Sequence, residues 1–410
     1  VDLLGPAYTG KTTVWTDAAP IDGRLDGNVY LRGSGDPRFT IEHLWGLLRQ
    51  LRVRGIQQIN GDLVLDRTVF NVPSIDPGAF DDKPMRPYNV GPDGLLINFR
   101  ALRFTLQADN GKPRVLMETP SEGLRVDNKL RGSDQGCGSD WKDQINVRLI
   151  PENTGNRLEL TGSYAALCGE KTLNLSPLPA DTQASGLIRV LWKELGGTLA
   201  GQVRSGSVAI GSKLIAQHES APLADAVRDI NKFSNNVMAQ QLFLTLGRLP
   251  TEAVASTNAR TPTAVATFER SRAWVGRWWR NRFGASVAEP ALDNGSGLSR
   301  DERITADALL ALLRDAAAHP TAGAVLLQSL PVAGVDGTAT RMGERGIMKS
   351  ALGNARIKTG SLRDVAAVAG YVTTQGGTPW AVVGIVNHPN ASQGRPALDA
   401  LLEWVANQPR

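Results

Sequence analysis

Two short strings in this chain carry residue types and spacing that fit a single reaction: Lys358-Thr359-Gly360-Ser361 and Ser234-Asn235-Asn236. Acyl transfer through a lysine-activated serine needs three pieces on one cleft. These are a nucleophilic Ser with a Lys one helical turn later, a Ser-x-Asn, and a Lys-Thr-Gly on an edge strand. Two of the three are well placed. Ala355–Thr359 reads as a strand followed by two more antiparallel strands, so its Lys and hydroxyl can face a cleft and bind a carboxylate. Leu223, Val227, Ile230, Ser234 and Met238 recur at helical spacing, so Ser234 is expected to continue the inward stripe of a helix. A buried hydroxyl there needs a partner, and an active-site Lys would serve. The plainer alternatives are a solvated Lys at a strand-to-turn junction and a core serine bonded back to the preceding carbonyl turn. Ser256-Thr257-Asn258 also fits Ser-x-Asn, but it is expected in a polar linker between helices and is set aside.

The third piece is the difficulty. Ser139-Asp140-Trp141-Lys142 is the only S-x-x-K in the chain, and nothing around Arg131–Gly138 is helical. The Lys must stand one turn from the Ser on a helix for its neutral amine to take the hydroxyl proton, so Ser139 is rejected as nucleophile.

Other chemistries fit less well. Gly5-Pro6-Ala7-Tyr8-Thr9-Gly10-Lys11-Thr12 matches the P-loop string letter for letter, and Asp66 could pose as the downstream acid. Its mechanics need a helix N-terminus after the loop, whereas Thr12–Asp17 is β-branched and alternating. The four histidines, His43, His218, His319 and His388, are scattered, and Cys137 and Cys168 form no C-x-x-C, so no metal site is expected. The two cysteines lie in polar, glycine-bearing segments. A disulfide in an oxidising compartment is the economical reading, two unrelated cytosolic thiols the alternative. A Ser-His-Asp hydrolase is disfavoured by the lack of a G-x-S-x-G elbow. Arg270, Arg272, Arg277, Arg280 and Arg282 interleave with Trp274, Trp278 and Trp279, either as a surface for nucleic acid or membrane or as an amphipathic helix with inward tryptophans. The helix is the preferred reading, and Gly284 supplies its stop.

The elements that must position these residues divide the chain by texture. Residues 20–210 alternate short apolar runs with turn residues, as at Gly61–Asp66, Leu102–Leu106, Asn146–Ile150 and Arg157–Thr161, with helical spacing at Thr40–Arg54 and Ala184–Leu195. From about residue 215 helical spacing dominates: Ala224–Leu246, Pro262–Phe283, Thr305–Ala318 and Ala322–Leu330. Strands return at Ala355–Thr359, Val365–Thr374 and Pro379–Asn387, and Arg395–Asn407 closes the chain as a helix. The 410 residues, 41% hydrophobic and 21% charged, exclude a disordered chain and leave length for two or three domains. A net charge of +5 gives little steering toward nucleic acid. No apolar run reaches the roughly 18 residues of a membrane span. The chain opens Val1-Asp2-Leu3-Leu4 without Met or a signal-like apolar region, so a signal peptide is already removed or the chain begins internally.

Taken together, the strings resemble the D-alanyl-D-alanine carboxypeptidase/endopeptidase family, the class C low-molecular-mass penicillin-binding proteins. The resemblance covers nearly the whole chain: Leu4-Gly5-Pro6, Leu31–Pro37, Ser234-Asn235-Asn236, Asn294–Arg300, Leu330–Thr338 and Lys358–Ser361, in family order. It implies an α/β multi-domain fold, with a penicillin-recognising serine transpeptidase-like domain of antiparallel sheet and helical cluster at 1–15 and 216–410. Two nested mainly-β inserts are implied at 16–84 with 176–215, and at 85–175. It also places the family's S-x-x-K roughly ten residues upstream of Val1, outside this sequence. Labelled penicillin is then expected to acylate the intact protein and not this chain, which would act as a non-catalytic peptidoglycan-binding module.

The same resemblance implies an acyl-enzyme reaction on peptidoglycan peptides ending in D-Ala-D-Ala, inhibited by β-lactams, in a periplasmic or otherwise extracytoplasmic compartment. Ser234 would relay protons, Asn236 hold the substrate amide carbonyl, and Lys358 and Thr359 bind the terminal carboxylate. Gly360 would admit the substrate backbone, and the Ser361 N–H would form half of an oxyanion hole. Asn294 stands where Asp is expected in many relatives, and its segment is given no role beyond shaping the cleft. No cofactor, metal or nucleic acid is implied; peripheral membrane contact and a homodimer are compatible partners.

Overall fold

The computed structural model describes residues 1–109, 111–250 and 264–409. The Ser256-Thr257-Asn258 string lies outside the described residues. The chain divides into two compact units, one made of Val1–Gly10, Val69–Val72 and Ala221–Arg410, the other of Lys11–Thr68 and Pro73–Ser220.

The first unit is a three-stranded antiparallel sheet with helices on both faces. Its strands run in the order Ala355–Ser361, Val365–Thr373, Pro379–Asn387, leaving the Ala355–Ser361 strand at an edge. Alternation assigns the faces. Ala355, Ile357, Ala366, Val368 and Val372 pack on Leu398, Leu402 and Val405 of the closing helix Arg395–Ala406. On the opposite face Ala369, Tyr371 and Val383 meet Leu313, Leu326 and Leu330, and the Tyr371 hydroxyl donates to the Leu313 carbonyl at 2.7 Å.

The helical cluster comprises Leu223–Phe233, Asn236–Gly247, Phe268–Phe283, Ala306–Ala318 and Ala322–Ser329. Three of the five carry side-chain N-caps: Asn235 accepts from Met238 N–H, Thr267 from Arg270 N–H and Thr305 from Ala308 N–H. One expectation fails here. The continuous helix at Ala224–Leu246 is broken between Phe233 and Asn236, where Ser234 adopts the left-handed conformation (φ 53°, ψ 48°). Ser234 is therefore exposed rather than part of a buried stripe. The physical reason is Asn235, whose carboxamide starts a new helix and whose own backbone is extended.

The second unit holds a five-stranded sheet in the order Val203–Ser205, Leu63–Asp66, Val29–Arg32, Lys11–Thr16, Lys213–Glu219. The helices Ile41–Val53 and Ala180–Glu194 cover it through Leu44, Leu47, Leu51, Leu187, Leu191 and Trp192. A separate apolar cluster lies between residues 102 and 178, built on two three-stranded sheets around Phe104, Leu158, Leu160 and Tyr164. Cys137 and Cys168 are joined there by a disulfide, at a sequence separation of 31.

The P-loop string does not form a phosphate cradle. Lys11 and Thr12 open a strand, Thr12 is buried, and no helix follows. Asp66 is occupied in holding its own turn, accepting from Thr68 N–H at 2.9 Å and from Val208 N–H at 3.0 Å.

Candidate active site

The edge strand and the helix break bring the two expected strings together. Lys358 Nζ donates to Ser234 Oγ at 2.8 Å and to its neighbour's carbonyl, Thr359 O, at 3.1 Å. The left-handed turn at Ser234 is what turns its hydroxyl out of the helix toward the strand. Burial pushes the Lys358 ammonium below the usual lysine range, since water is withdrawn from the charge and no carboxylate replaces it. Asn236, the first residue of the following helix, is half-buried. Thr359 is half-buried, and Gly360 and Ser361 are exposed at the strand's end.

The segment 330–336 ties the two strings to each other. Lys232, two residues before Ser234, donates through Nζ to Leu330 O at 2.7 Å and to Asp336 Oδ1 and Oδ2 at 2.8 and 2.7 Å. Asp336 Oδ1 also accepts from Val332 N–H at 2.8 Å. The same segment grips the edge strand from its other side: Ile357 N–H donates to Pro331 O, and Ala333 N–H to Ala355 O. Gly337 completes the clamp. Its φ is +57°, and a Cβ there would sit 2.6 Å from the Lys232 carbonyl oxygen. Asn231 adds a bond from Nδ2 to Ser329 Oγ at 2.7 Å.

The segment around Asn294 is a rigid loop. Glu302 Oε1 accepts from the N–H groups of Asp293, Asn294 and Gly295 at 3.2, 3.2 and 2.9 Å. Asn294 Oδ1 accepts from the Ser296 N–H and hydroxyl, and its Nδ2 donates to Leu298 O. The Asn294 carboxamide is thus spent within its own turn.

Other candidates fall away on geometry. Ser139 lies on a turn before a short 3-10 segment, Trp141–Gln144, and Lys142 sits over the Trp141 ring at 5.4 Å from its centroid. The arginine- and tryptophan-rich stretch is the helix Phe268–Phe283. Trp274 and Trp279 are buried, while Arg272, Arg280 and Arg282 pair with Asp293, Glu289 and Asp315. Among the described residues no cluster of three His, Cys, Asp or Glu side chains could hold a metal ion.

Sequence reasoning missed Lys232, Asp336 and Glu302. Lys232 and Asp336 are 104 positions apart, so no local pattern pairs them. Glu302 had a weak signal, a single acid shortly after a glycine-rich turn.

An exposed serine hydroxyl held by a desolvated lysine at the open edge of an antiparallel sheet, backed by a helical cluster, defines a serine peptidase cleft of the penicillin-binding class. Residues 1–408 match the D-Ala-D-Ala carboxypeptidase 3 (S13) family, and the chain belongs to it. It is 28% identical over 390 residues to the D-alanyl-D-alanine carboxypeptidase DacB of Haemophilus influenzae, covering 94% of this chain and 77% of that protein. The crystal structure of penicillin binding protein 4 (dacB) from Haemophilus influenzae superimposes with a TM-score of 0.73 at 26% identity, over 98% of this chain and 88% of that one. A second structure of that protein, complexed with a β-lactam, gives a TM-score of 0.67 at 25% identity over 98% and 87% of the two chains.

Proposed function

We propose that this serine-type D-Ala-D-Ala carboxypeptidase receives the C-terminal end of a peptidoglycan stem peptide along Lys358–Ser361, the part of the edge strand beyond its pairing with 331–333, with Ser234 and Lys358 acting as one unit. The observation that carries the reading is the 2.8 Å contact between Lys358 Nζ and Ser234 Oγ. An exposed strand edge accepts an extended peptide by backbone pairing, and Gly360 leaves that edge without a side chain in the way. Lys358 and Thr359 hold the terminal carboxylate, and Asn236 donates to the substrate's amide carbonyl. The Ser361 N–H supports the oxyanion.

In the chemical step a serine oxygen adds to the penultimate D-Ala carbonyl and gives up its proton, the C–N bond to the last residue breaks, and the departing amine takes up that proton through the Ser234 hydroxyl. Water then adds to the acyl ester, releasing the shortened peptide and restoring the serine. A β-lactam enters the same place because its amide and carboxylate stand at comparable positions, but its ring nitrogen stays tethered and the ester persists.

The compartment we propose is periplasmic or otherwise extracytoplasmic, where this substrate lies. The Cys137–Cys168 disulfide supports that reading. No helix among the described residues is long and apolar enough to cross a membrane. The proposal extends to self-association as a homodimer and to peripheral contact with a membrane surface. Sedimentation with and without anionic vesicles checks both.

Fluorescent-penicillin labelling and D-Ala release, measured on the full-length gene product, test the central reading. Ser234→Ala and Lys358→Ala should each slow both by 100-fold or more, on the order expected for a proton relay. Mapping the labelled peptide to Ser139 would contradict it, as would full activity in either variant.

A further inference from the structure

The helix Asn236–Gly247 carries a second carboxamide that the reaction above leaves unused. Gln240 is 5% exposed, yet its Oε1 has no hydrogen-bond partner among the described residues. A buried acceptor without a donor costs stability, and native structures rarely keep one.

Its place on the helix says which donor it serves. Residues four apart share one face of a helix and side chains lean toward the N-terminal turn, so the Gln240 carboxamide lies over the turn that begins with Asn236. The next residue of that face is Phe243, 6% exposed, and the glycine-rich loop after Asn294 closes on it: a Cβ at Gly295 would stand 2.4 Å from Phe243 Cγ. Gln240 therefore sits between Asn236 on one side and the base of that loop on the other, with almost none of its surface in water.

Asn236 has the complementary deficit. Its carboxamide has two N–H donors, and the reading above commits one of them to the substrate's amide carbonyl. The other must go elsewhere. An Asn carboxamide can also turn over about its last bond, which would set its oxygen against the substrate's oxygen.

We propose that Gln240 is a positioning residue for Asn236: its Oε1 accepts the second Asn236 Nδ2–H when substrate arrives, and this bond keeps the nitrogen of Asn236 turned to the cleft. The proposal rests on the assignment of Asn236 to the substrate's amide carbonyl and adds the group that orients it. That contact is made before and during bond breaking alike, so Gln240 contributes to binding and not to the chemical step. Two other buried donors stand without a partner on the helix packed alongside, Phe268–Phe283: Trp274 Nε1 and Arg277 Nε. The test separates them from Asn236.

D-Ala release from an N-acetylated peptide ending in D-Ala-D-Ala, followed on the full-length gene product, gives KM and kcat separately. Gln240→Met removes the acceptor and keeps the volume, so it should fold with an unlowered thermal transition. It should raise KM about fivefold, the equivalent of one neutral hydrogen bond, and leave kcat unchanged. Gln240→Glu keeps an oxygen at the same place and should return KM to within about twofold of the parent. In an Asn236→Ala background Gln240→Met should have no further effect, since the group it orients is gone. Parental KM in Gln240→Met overturns the proposal, as does a Gln240→Glu protein no better than Gln240→Met. A loss of the same size in the Asn236→Ala background also overturns it and assigns Gln240 to Trp274 or Arg277. If Asn236→Ala alone leaves KM at the parental value, the assignment of Asn236 to the substrate itself fails.

Discussion

The clamp between Lys232 and Asp336 fixes the serine cap against the edge strand, and its removal should be measurable. Asp336→Asn keeps the shape but deletes the charge that Lys232 faces. The pair is unevenly buried, with side-chain exposures of 13% for Lys232 and 41% for Asp336. Exposed pairs contribute up to about 1 kcal/mol, and stripping one partner from a buried pair costs about 3–5 kcal/mol. This half-screened pair should fall near 2 kcal/mol, which lowers the melting temperature by about 4–8 °C for a unit of this size. Burial raises the Asp336 carboxyl, but bonds from Lys232 and the Val332 N–H outweigh it and hold the group below the usual carboxylate range. A double-mutant cycle with Lys232→Met, followed by thermal and urea unfolding, isolates the coupling from whatever the second unit contributes. Losses that add to within about 0.5 kcal/mol would show that the two residues act independently and that the clamp does not exist.

Three further outcomes follow from the same structure. Lys358 has a folded pKa depressed by burial from its ordinary 10.5, so the unfolded chain binds the proton more readily. Stability should rise with pH across the window between the folded value and 10.5, and Lys358→Met should flatten that slope in pH-dependent urea titrations. Glu403 is the opposite case: burial raises it, but N–H donors from Lys349, Ala351 and Ser350 and the Asn407 amide bring it down to about 2 from 4.5. Its contribution is present above 4.5 and lost as pH falls toward 2. At face value the shift is about 3 kcal/mol, and solvent screening of this partly exposed group leaves about 1–2 kcal/mol, so Glu403→Gln should destabilise at pH 7 and converge with the parent in acid. Opening the Cys137–Cys168 bridge with Cys→Ser at both positions should lower stability of the second unit by about 3–4 kcal/mol on loop-closure grounds, read as a lower urea midpoint with the first unit's transition unmoved.

Much of the cleft was legible in the residues themselves. The Ala355–Thr359 strand announces itself by apolar alternation and by the turn-bounded strands after it, a context that puts Lys358 and a hydroxyl at a cleft; that the two side chains leave the strand on opposite faces comes from its register with Val365–Thr373. The helix-break serine was only half legible. Apolar residues at i−4 and i+4 from Ser234 suggest one unbroken helix, but Ser-Asn-Asn is a capping sequence, and the backbone followed the cap rather than the stripe. Gly5–Thr12 was correctly discounted because β-branched residues after it demand an extended chain. What the residues could not reveal is long-range pairing. Lys232 with Asp336 and Arg395 with Ser361 join positions 104 and 34 apart, and charged side chains carry no periodicity that would select one partner over another. The apolar cluster over the five-stranded sheet likewise depends on how Lys11–Thr16 pairs with Lys213–Glu219, some two hundred positions away.

The most direct test of the central claim is a crystal structure of the full-length gene product acylated by a β-lactam. The account predicts the ligand's carboxylate within hydrogen-bonding distance of Thr359, its amide along the Lys358–Ser361 end of the edge strand, and the Ser234 hydroxyl between Lys358 and the cleaved ring nitrogen. An adduct seated away from that edge, or one that leaves Ser234 and Lys358 bonded only to each other and to water, would contradict it.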